Sequence, residues 1–417
     1  MNFEKLFQPI NLGKVRIKNR FALAATSPVQ EESGLPTEQT YAYMAARARG
    51  GAGLIHTGSV HGTRKAFLGQ TEIQCKLFHP DHIARYAEMA DTIHAFGAVV
   101  FIQLIPGFGA RGKPAGGEPP YSASPVPAQR ILEKMPEQFR KHFMQIPNYQ
   151  AMLEGARPRE MSIEEIQSEQ DEFANSARLA AMADFDGIEI HACHGHLLHQ
   201  FRSSLTNHRK DRYGGSAENR NRFIVEIVDK TLKAVRPDFP DIPIGVRLSA
   251  REYIEGGFPF EETKELAEEL AKLGITHIDM SNASHLTTQY MLPDIDATNI
   301  EFAKAIKETT GLPVLCNNLH EPSNFLRAVE EGYVDIINMC RPLIADPELP
   351  NKVKEGRINE IVKCTRCYFC TLRLTLHLPI RCPVNPNVGS EKYIPEYWRS
   401  AGSLPERMLP SLIRKRK

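Results

Sequence analysis

The chain has 417 residues, 42% of them hydrophobic and 24% charged, which is enough apolar length to bury a large core. Its formal net charge is +1, so no global field favours nucleic acid, an anionic membrane or an acidic substrate. The first residues lack the basic stretch and apolar run of a secretory signal, and no apolar run approaches the roughly 18 residues of a membrane span, so a cytoplasmic protein is expected.

Short, continuous, β-branched-rich runs are expected as buried strands at 21–24, 54–57, 99–104, 187–191, 244–248, 277–280, 314–317 and 336–339. Amphipathic stretches at 37–48, 81–95, 162–183, 218–235, 261–273, 298–310 and 322–331 are expected as the helices between them. Ser162 and Glu165 form a capping box at the start of the third helix. A strand–helix alternation repeated over about 340 residues predicts an α/β fold of the (β/α)8 TIM barrel type. A doubly wound sheet is the alternative, but no GxGxxG follows any of the strands.

One connection is abnormal. Residues 106–161 have no strong periodicity and many prolines and glycines, and they leave the C-terminal end of the third strand. That end is the active-site face of a barrel, so the segment reads as a lid over a substrate pocket, with a plain surface excursion as the alternative.

Of eight cysteines, Cys75, Cys193, Cys316 and Cys340 are scattered, whereas Cys364, Cys367, Cys370 and Cys382 crowd together, the last followed by Pro383. Cysteines crowded in this way in a reducing compartment point to metal ligation. Three at intervals of three, plus a distant fourth before proline, suit a [4Fe–4S] cluster. Zinc also takes four cysteines, but usually as two separated pairs. The expected organisation is therefore a barrel over 1–360 and a four-cysteine module and tail over 361–417. The basic residues 414–417 read as a solvated tail.

Polar residues gather where the strands end: Ser27, Gln103, Arg247, Arg341 and, in one run, His191, His194 and His196, with His285 beyond the sixth strand. Three imidazoles within six residues suit a metal site, an acid–base set or structural histidines. The absence of a carboxylate among them weighs against metal.

The stretches 6–13, 17–20, 101–104, 205–220 and 340–347, together with the cysteine pattern, resemble the Old Yellow Enzyme family of FMN-dependent barrels. The resemblance is specifically to its iron–sulfur branch, which contains dienoyl-CoA and bile-acid enoate reductases and trimethylamine dehydrogenase. It implies that Ala25, Thr26 and Ser27 pack on the flavin, that Gly58 and Gln103 contact its ring, and that Arg247 lies against N1 and O2. It further implies that Asn318, Leu319, Cys340 and Arg341 bind the FMN phosphate. His191 and His194 correspond to the pair that binds an activating carbonyl. The family's proton-donating tyrosine is replaced here by His196, with His285 a second candidate acid.

The implied activity is ene-reduction: hydride passes from FMN N5 to the C=C bond of an α,β-unsaturated carbonyl compound. Electrons would come from NADH or NADPH, or through the [4Fe–4S] cluster from an external partner, because no dinucleotide fingerprint follows Cys382. The alternatives are an amine dehydrogenase-like oxidation, disfavoured because the only tryptophan is Trp398, outside the barrel, or an electron-transfer subunit without substrate chemistry. The resemblance also implies a homo-oligomer acting on a small molecule, with no nucleic-acid or membrane partner.

Overall fold

The computed structural model describes residues 1–69 and 74–397. Trp398 and the basic residues 414–417 lie outside the described residues. Eight parallel strands close into a barrel in chain order: β1 (Phe21–Leu23), β2 (Leu54–His61), β3 (Val99–Ile105), β4 (Gly187–Ala192), β5 (Ile244–Ser249), β6 (His277–Ser281), β7 (Val314–Cys316) and β8 (Ile336–Met339). Every residue of β1, β3, β4 and β5 is buried, as expected of strands covered on both faces.

Seven helices alternate with the strands: α1 (Glu38–Arg49), α2 (Ile83–His94), α3 (Ile163–Met182), α4 (Ala217–Val235), α5 (Phe260–Leu273), α6 (Ile300–Thr310) and α7 (Pro322–Glu330). α3 opens with the capping box, the Ser162 side chain accepting from the Glu165 amide and Glu165 accepting from the Ser162 amide. α5 and α6 end on Gly274 and Gly311 in the left-handed region, where a residue without Cβ terminates a helix at least cost.

Two features are absent from the sequence reading. An antiparallel hairpin, Ile10–Leu12 with Val15–Ile17, packs Leu12 and Ile17 against Leu54, Val99, Leu315 and Ile336, and so closes the N-terminal end of the barrel. Segment 106–161 is also more ordered than its composition suggests. It carries the helix Glu137–Phe143 and a two-residue parallel pairing of Tyr121–Ser122 with Arg159–Glu160. Met135, Phe139 and Phe143 form a small core of their own with Tyr368. Met135, Phe139 and Phe143 recur every four residues, but this helical period is confined to one short helix and the residues before it, and packs on a distant loop rather than on the barrel core.

Candidate functional site

A cavity of about 430 Å³ opens at the C-terminal ends of the strands. Ala25, Thr26 and Ser27 line it from the end of β1, Gln103 from β3, and Arg247 from β5. Asn318 and Leu319 line it after β7, and Cys340 and Arg341 after β8. His191, His194, His196 and His285 complete one wall. Gly58 does not reach the cavity. It sits at a register shift in β2, and a Cβ there would lie 2.6 Å from the Ser27 Cα. Its lack of a side chain lets the segment after β1 pack directly on β2.

That segment is fixed from both sides. Thr26 Oγ1 lies 2.9 Å from Cys340 Sγ, which ties the end of β1 to the end of β8. The Ser27 hydroxyl donates to Glu31 Oε1 at 2.8 Å, and burial raises the Glu31 carboxyl. On the opposite side, Asn318 Nδ2 and Arg341 Nη1 are buried donors without a protein partner. Unpaired buried donors are costly and mark places where a ligand is expected to supply acceptors.

The floor of the cavity is a polar cluster inside the barrel. Gln103 donates to Glu189 Oε1 at 2.6 Å and accepts from Ser59 Oγ at 3.0 Å. Arg247 Nε lies 3.0 Å from Asp279 Oδ2, which also accepts from Asn338 at 2.8 Å. Burial opposes the charge on Arg247, but Asp279, Cys193 and Glu189 more than offset it and hold the guanidinium charged. Burial also raises both carboxyls, Asp279 to about 7, against the pull of Arg247. One cation therefore faces the cavity above two acids that compete for it.

The histidine wall is interlocked. After β4 the chain turns through left-handed His194 (φ 61°) and Gly195 (φ 80°), and His194 forms a bridge to Ser284 beyond β6. His191 Nε2 is 2.8 Å from His196 Nδ1, and His194 Nε2 is 2.6 Å from Ser281 Oγ. Asn317 donates to the same Ser281 hydroxyl at 3.0 Å. His196 stacks on Phe108 with ring centroids 4.6 Å apart and lies 5.6 Å from the His285 ring. Burial, followed by repulsion from Arg247, drives the His191 pKa down to about 3. Burial likewise holds His194, His196 and His285 well below the usual imidazole range. All four rings are therefore neutral at neutral pH. His191, Cys193 and His194 are close enough to share an ion, but both Nε2 atoms are bonded elsewhere and the Nδ1 atoms face Cys193 Sγ at 3.7 and 3.3 Å.

The four clustered cysteines are free thiols. Arg366 (φ 54°) and Tyr368 (φ 60°) flank Cys367 in the left-handed region and curl the loop tightly. Burial raises Cys370 to about 12, with Cys340 and Cys364 adding to the effect, and Cys382 is raised by burial and by Cys364 and Cys367. Cys370 also lines the cavity, so the module abuts the site. Tyr368 anchors the loop, its hydroxyl donating to Asp294 Oδ1 at 2.6 Å and Leu292 O at 2.8 Å.

Sequence reasoning missed Glu189, Asp279, Ser281, Phe108 and Tyr368. For Glu189 and Asp279 a signal exists, since each is a carboxylate inside an otherwise apolar strand. For Phe108 no local signal exists.

Residues 5–360 match the family described as NADH:flavin oxidoreductase / NADH oxidase. An NADH oxidase of Thermoanaerobacter brockii is 34% identical over 401 residues, covering 94% of this chain and 57% of that protein. A cinnamate reductase of Clostridium sporogenes is 31% identical, covering 94% of this chain and 59% of that protein. The solved structure of a 2-naphthoyl-CoA reductase in complex with 2-naphthoyl-CoA superposes with a TM-score of 0.81 at 28% identity, over 94% of this chain and 58% of that one. The chain thus spans a little over half the length of these proteins. With its closed eight-stranded barrel and the family match across most of its length, the chain belongs to the NADH:flavin oxidoreductase / NADH oxidase family of flavin-dependent enzymes.

Proposed function

We propose that this chain is an FMN- and [4Fe–4S]-dependent ene-reductase acting on an α,β-unsaturated carbonyl compound. The observation that carries the reading is the convergence of Gln103, Arg247, His191 and His194 on one cavity whose far side offers the unpaired donors of Asn318 and Arg341.

Those two donors suit a phosphate, and Arg247 suits the electron-rich edge of a reduced flavin. The residues fit FMN, held by Ala25–Ser27, Gln103, Arg247, Asn318, Leu319, Cys340 and Arg341. The four free thiols, three at intervals of three and a fourth before proline, would hold an iron–sulfur cluster, and Cys370 at the cavity wall would bring that cluster beside the flavin. When bound, FMN supplies hydride to carbon and is recharged by NADH or NADPH, or through the cluster.

The protein's own residues do the rest. His191 and His194 keep their Nε2 contacts and offer Nδ1, whose present partner is Cys193 Sγ at 3.7 and 3.3 Å, to a substrate carbonyl, orienting it and drawing electron density from the C=C bond. Ser281 and Asn317 fix the His194 ring. As the α-carbon takes a proton from His191, neutral His196 passes its own Nδ1 proton to His191 Nε2 along their hydrogen bond and is reprotonated from solvent, so no imidazolium is stored. The insertion 106–161 covers the chamber and excludes water. The product then leaves to solvent, and electrons reach the cluster from an external donor. Support comes from the geometry and from relatives named as reductases of an unsaturated acid and an aromatic thioester.

The test is the double substitution His191→Ala with His194→Ala in anaerobically purified protein. Reduction of enones and enoates by chemically reduced enzyme is expected to fall at least about 100-fold, with FMN content unchanged. Turnover that survives the double substitution would overturn the carbonyl-binding role.

A further inference from the structure

Three cations from the insertion, Arg111, Lys113 and Arg130, line the cavity beside the histidine wall. Among the described residues that line this cavity there is no aspartate or glutamate. The nearby acids are already engaged: Glu31 behind Ser27, and Glu189 and Asp279 beneath Arg247. Among the described residues, the side chains of Arg111 and Arg130 make no ion pair and no hydrogen bond. The fully buried Arg47, by contrast, is matched to Glu391 at 2.6 Å.

The two guanidiniums feel each other. Burial depresses Arg111, and Arg130 depresses it further, while burial alone accounts for the shift of Arg130. No carboxylate compensates either group. Arg111 and Arg130 line the same cavity as His196, His285 and His377, and Arg111 lowers His196 and His285 while Arg130 lowers His285 and His377. Phe108, Phe139, Met291 and Leu292 add apolar surface to the same cavity.

Two partly dehydrated like charges without a counter-ion are unfavourable by themselves. The arrangement makes sense if the ligand brings the anion. Planar guanidinium forks match a carboxylate bidentately, and the apolar surface accepts a hydrophobic body.

We propose that Arg111 and Arg130 form a carboxylate clamp, so that the substrate is an unsaturated acid with an apolar body rather than a neutral enone or a cationic amine. This rests on the ene-reductase reading above and adds the charge class of its substrate. The clamp is a specificity element. The clamped carboxylate is also the activating carbonyl, its remaining lone pairs facing His191 and His194.

The test uses the FMN-loaded protein and ligands that cannot be reduced. Calorimetric titration compares 3-phenylpropanoate, 3-phenylpropanamide and 2-phenylethylammonium. The acid is expected to bind at least about 10-fold tighter than the amide, and the ammonium ion not to saturate. Arg111→Met and Arg130→Met should each weaken the acid by about 10- to 100-fold and leave the amide unchanged, with FMN content as a check on folding. Salt offers a measurement free of substitutions: raising KCl from about 20 to 500 mM should weaken the acid alone.

Equal binding of acid and amide, or an acid preference unmoved by both substitutions and by salt, would overturn the clamp. Reduction of 3-phenylpropenamide without acid-selective binding would leave the ene-reductase reading standing and the clamp refuted. Arginine-dependent binding of the acid without reduction of any C=C bond would do the reverse.

Discussion

His191 Nε2 and His196 Nδ1 share a hydrogen bond of 2.8 Å, so the imidazole standing where the family resemblance implies a tyrosine is wired to the first histidine of the pair proposed to bind a carbonyl. If His196 relays the proton, His196→Phe should keep the stack on Phe108 and lose the reaction. We expect the rate of substrate reduction in a single turnover to drop about 100-fold, within the usual range for a lost acid–base group. His196→Tyr should restore most of it. Equal rates in His196→Phe and the parent protein would show that the proton comes from elsewhere.

Serine substitution at any one of Cys364, Cys367, Cys370 and Cys382 should abolish or strongly reduce bound iron and sulfide, whereas Cys75→Ser should not. Four thiolates holding a [4Fe–4S] cluster predict about four irons and four sulfides per chain in the parent protein. Elemental analysis and the visible spectrum of anaerobic preparations read this directly. One zinc per chain in place of iron and sulfide would make the module structural.

Acid stability should be limited by buried neutral histidines. Burial lowers His56 to about 4 and His191 and His277 to about 3. The unfolded chain therefore takes up protons that the folded one refuses. The stability these groups contribute is complete above about pH 6.5 and declines as pH falls towards 4 and 3. The melting temperature should drop between pH 7 and 5, and His277→Gln should flatten that drop. An unchanged pH dependence in the variant would rule out His277 as a contributor.

Glu169 should act in the opposite direction. It is buried, accepts from the Tyr121 hydroxyl at 3.2 Å, and is raised by burial to about 8. Its folded pKa lies above the unfolded value, so its contribution is complete below about pH 4.3 and is lost as pH rises through about 8. Glu169→Gln should therefore gain on the parent protein between pH 6 and 9, by a few kcal/mol in denaturant titrations. A constant difference across that range would refute the assignment.

The eight strands and seven helices were legible because each is written in local periodicity, and the helix termini because Ser162 with Glu165 and the glycines at 274 and 311 act within one turn. The convergence on one cavity of residues at the C-terminal strand ends was legible too, since a parallel barrel presents those ends together. Segment 106–161 was not: its order depends on Phe139 and Phe143 meeting Tyr368, a contact that no window of sequence contains. The resemblance implies that Gly58 contacts the flavin ring, and the fold adds that it sits at a bulge packed directly on Ser27, where a Cβ would lie 2.6 Å from the Ser27 Cα.

By itself the sequence determined the barrel, the family and the cysteine spacing, because periodicity, motif and interval are read along the chain. Only the tertiary structure decided how the site is wired. Gln103 reaches Glu189 across 86 residues, His194 reaches Ser281 across 87, and Thr26 reaches Cys340 across 314. The pairing of Arg247 with Asp279 and the unmatched charges of Arg111 and Arg130 are of the same kind. Each follows from closing the barrel and folding the insertion over it, which sets distances of a few ångströms between groups whose separation in sequence carries no information about them.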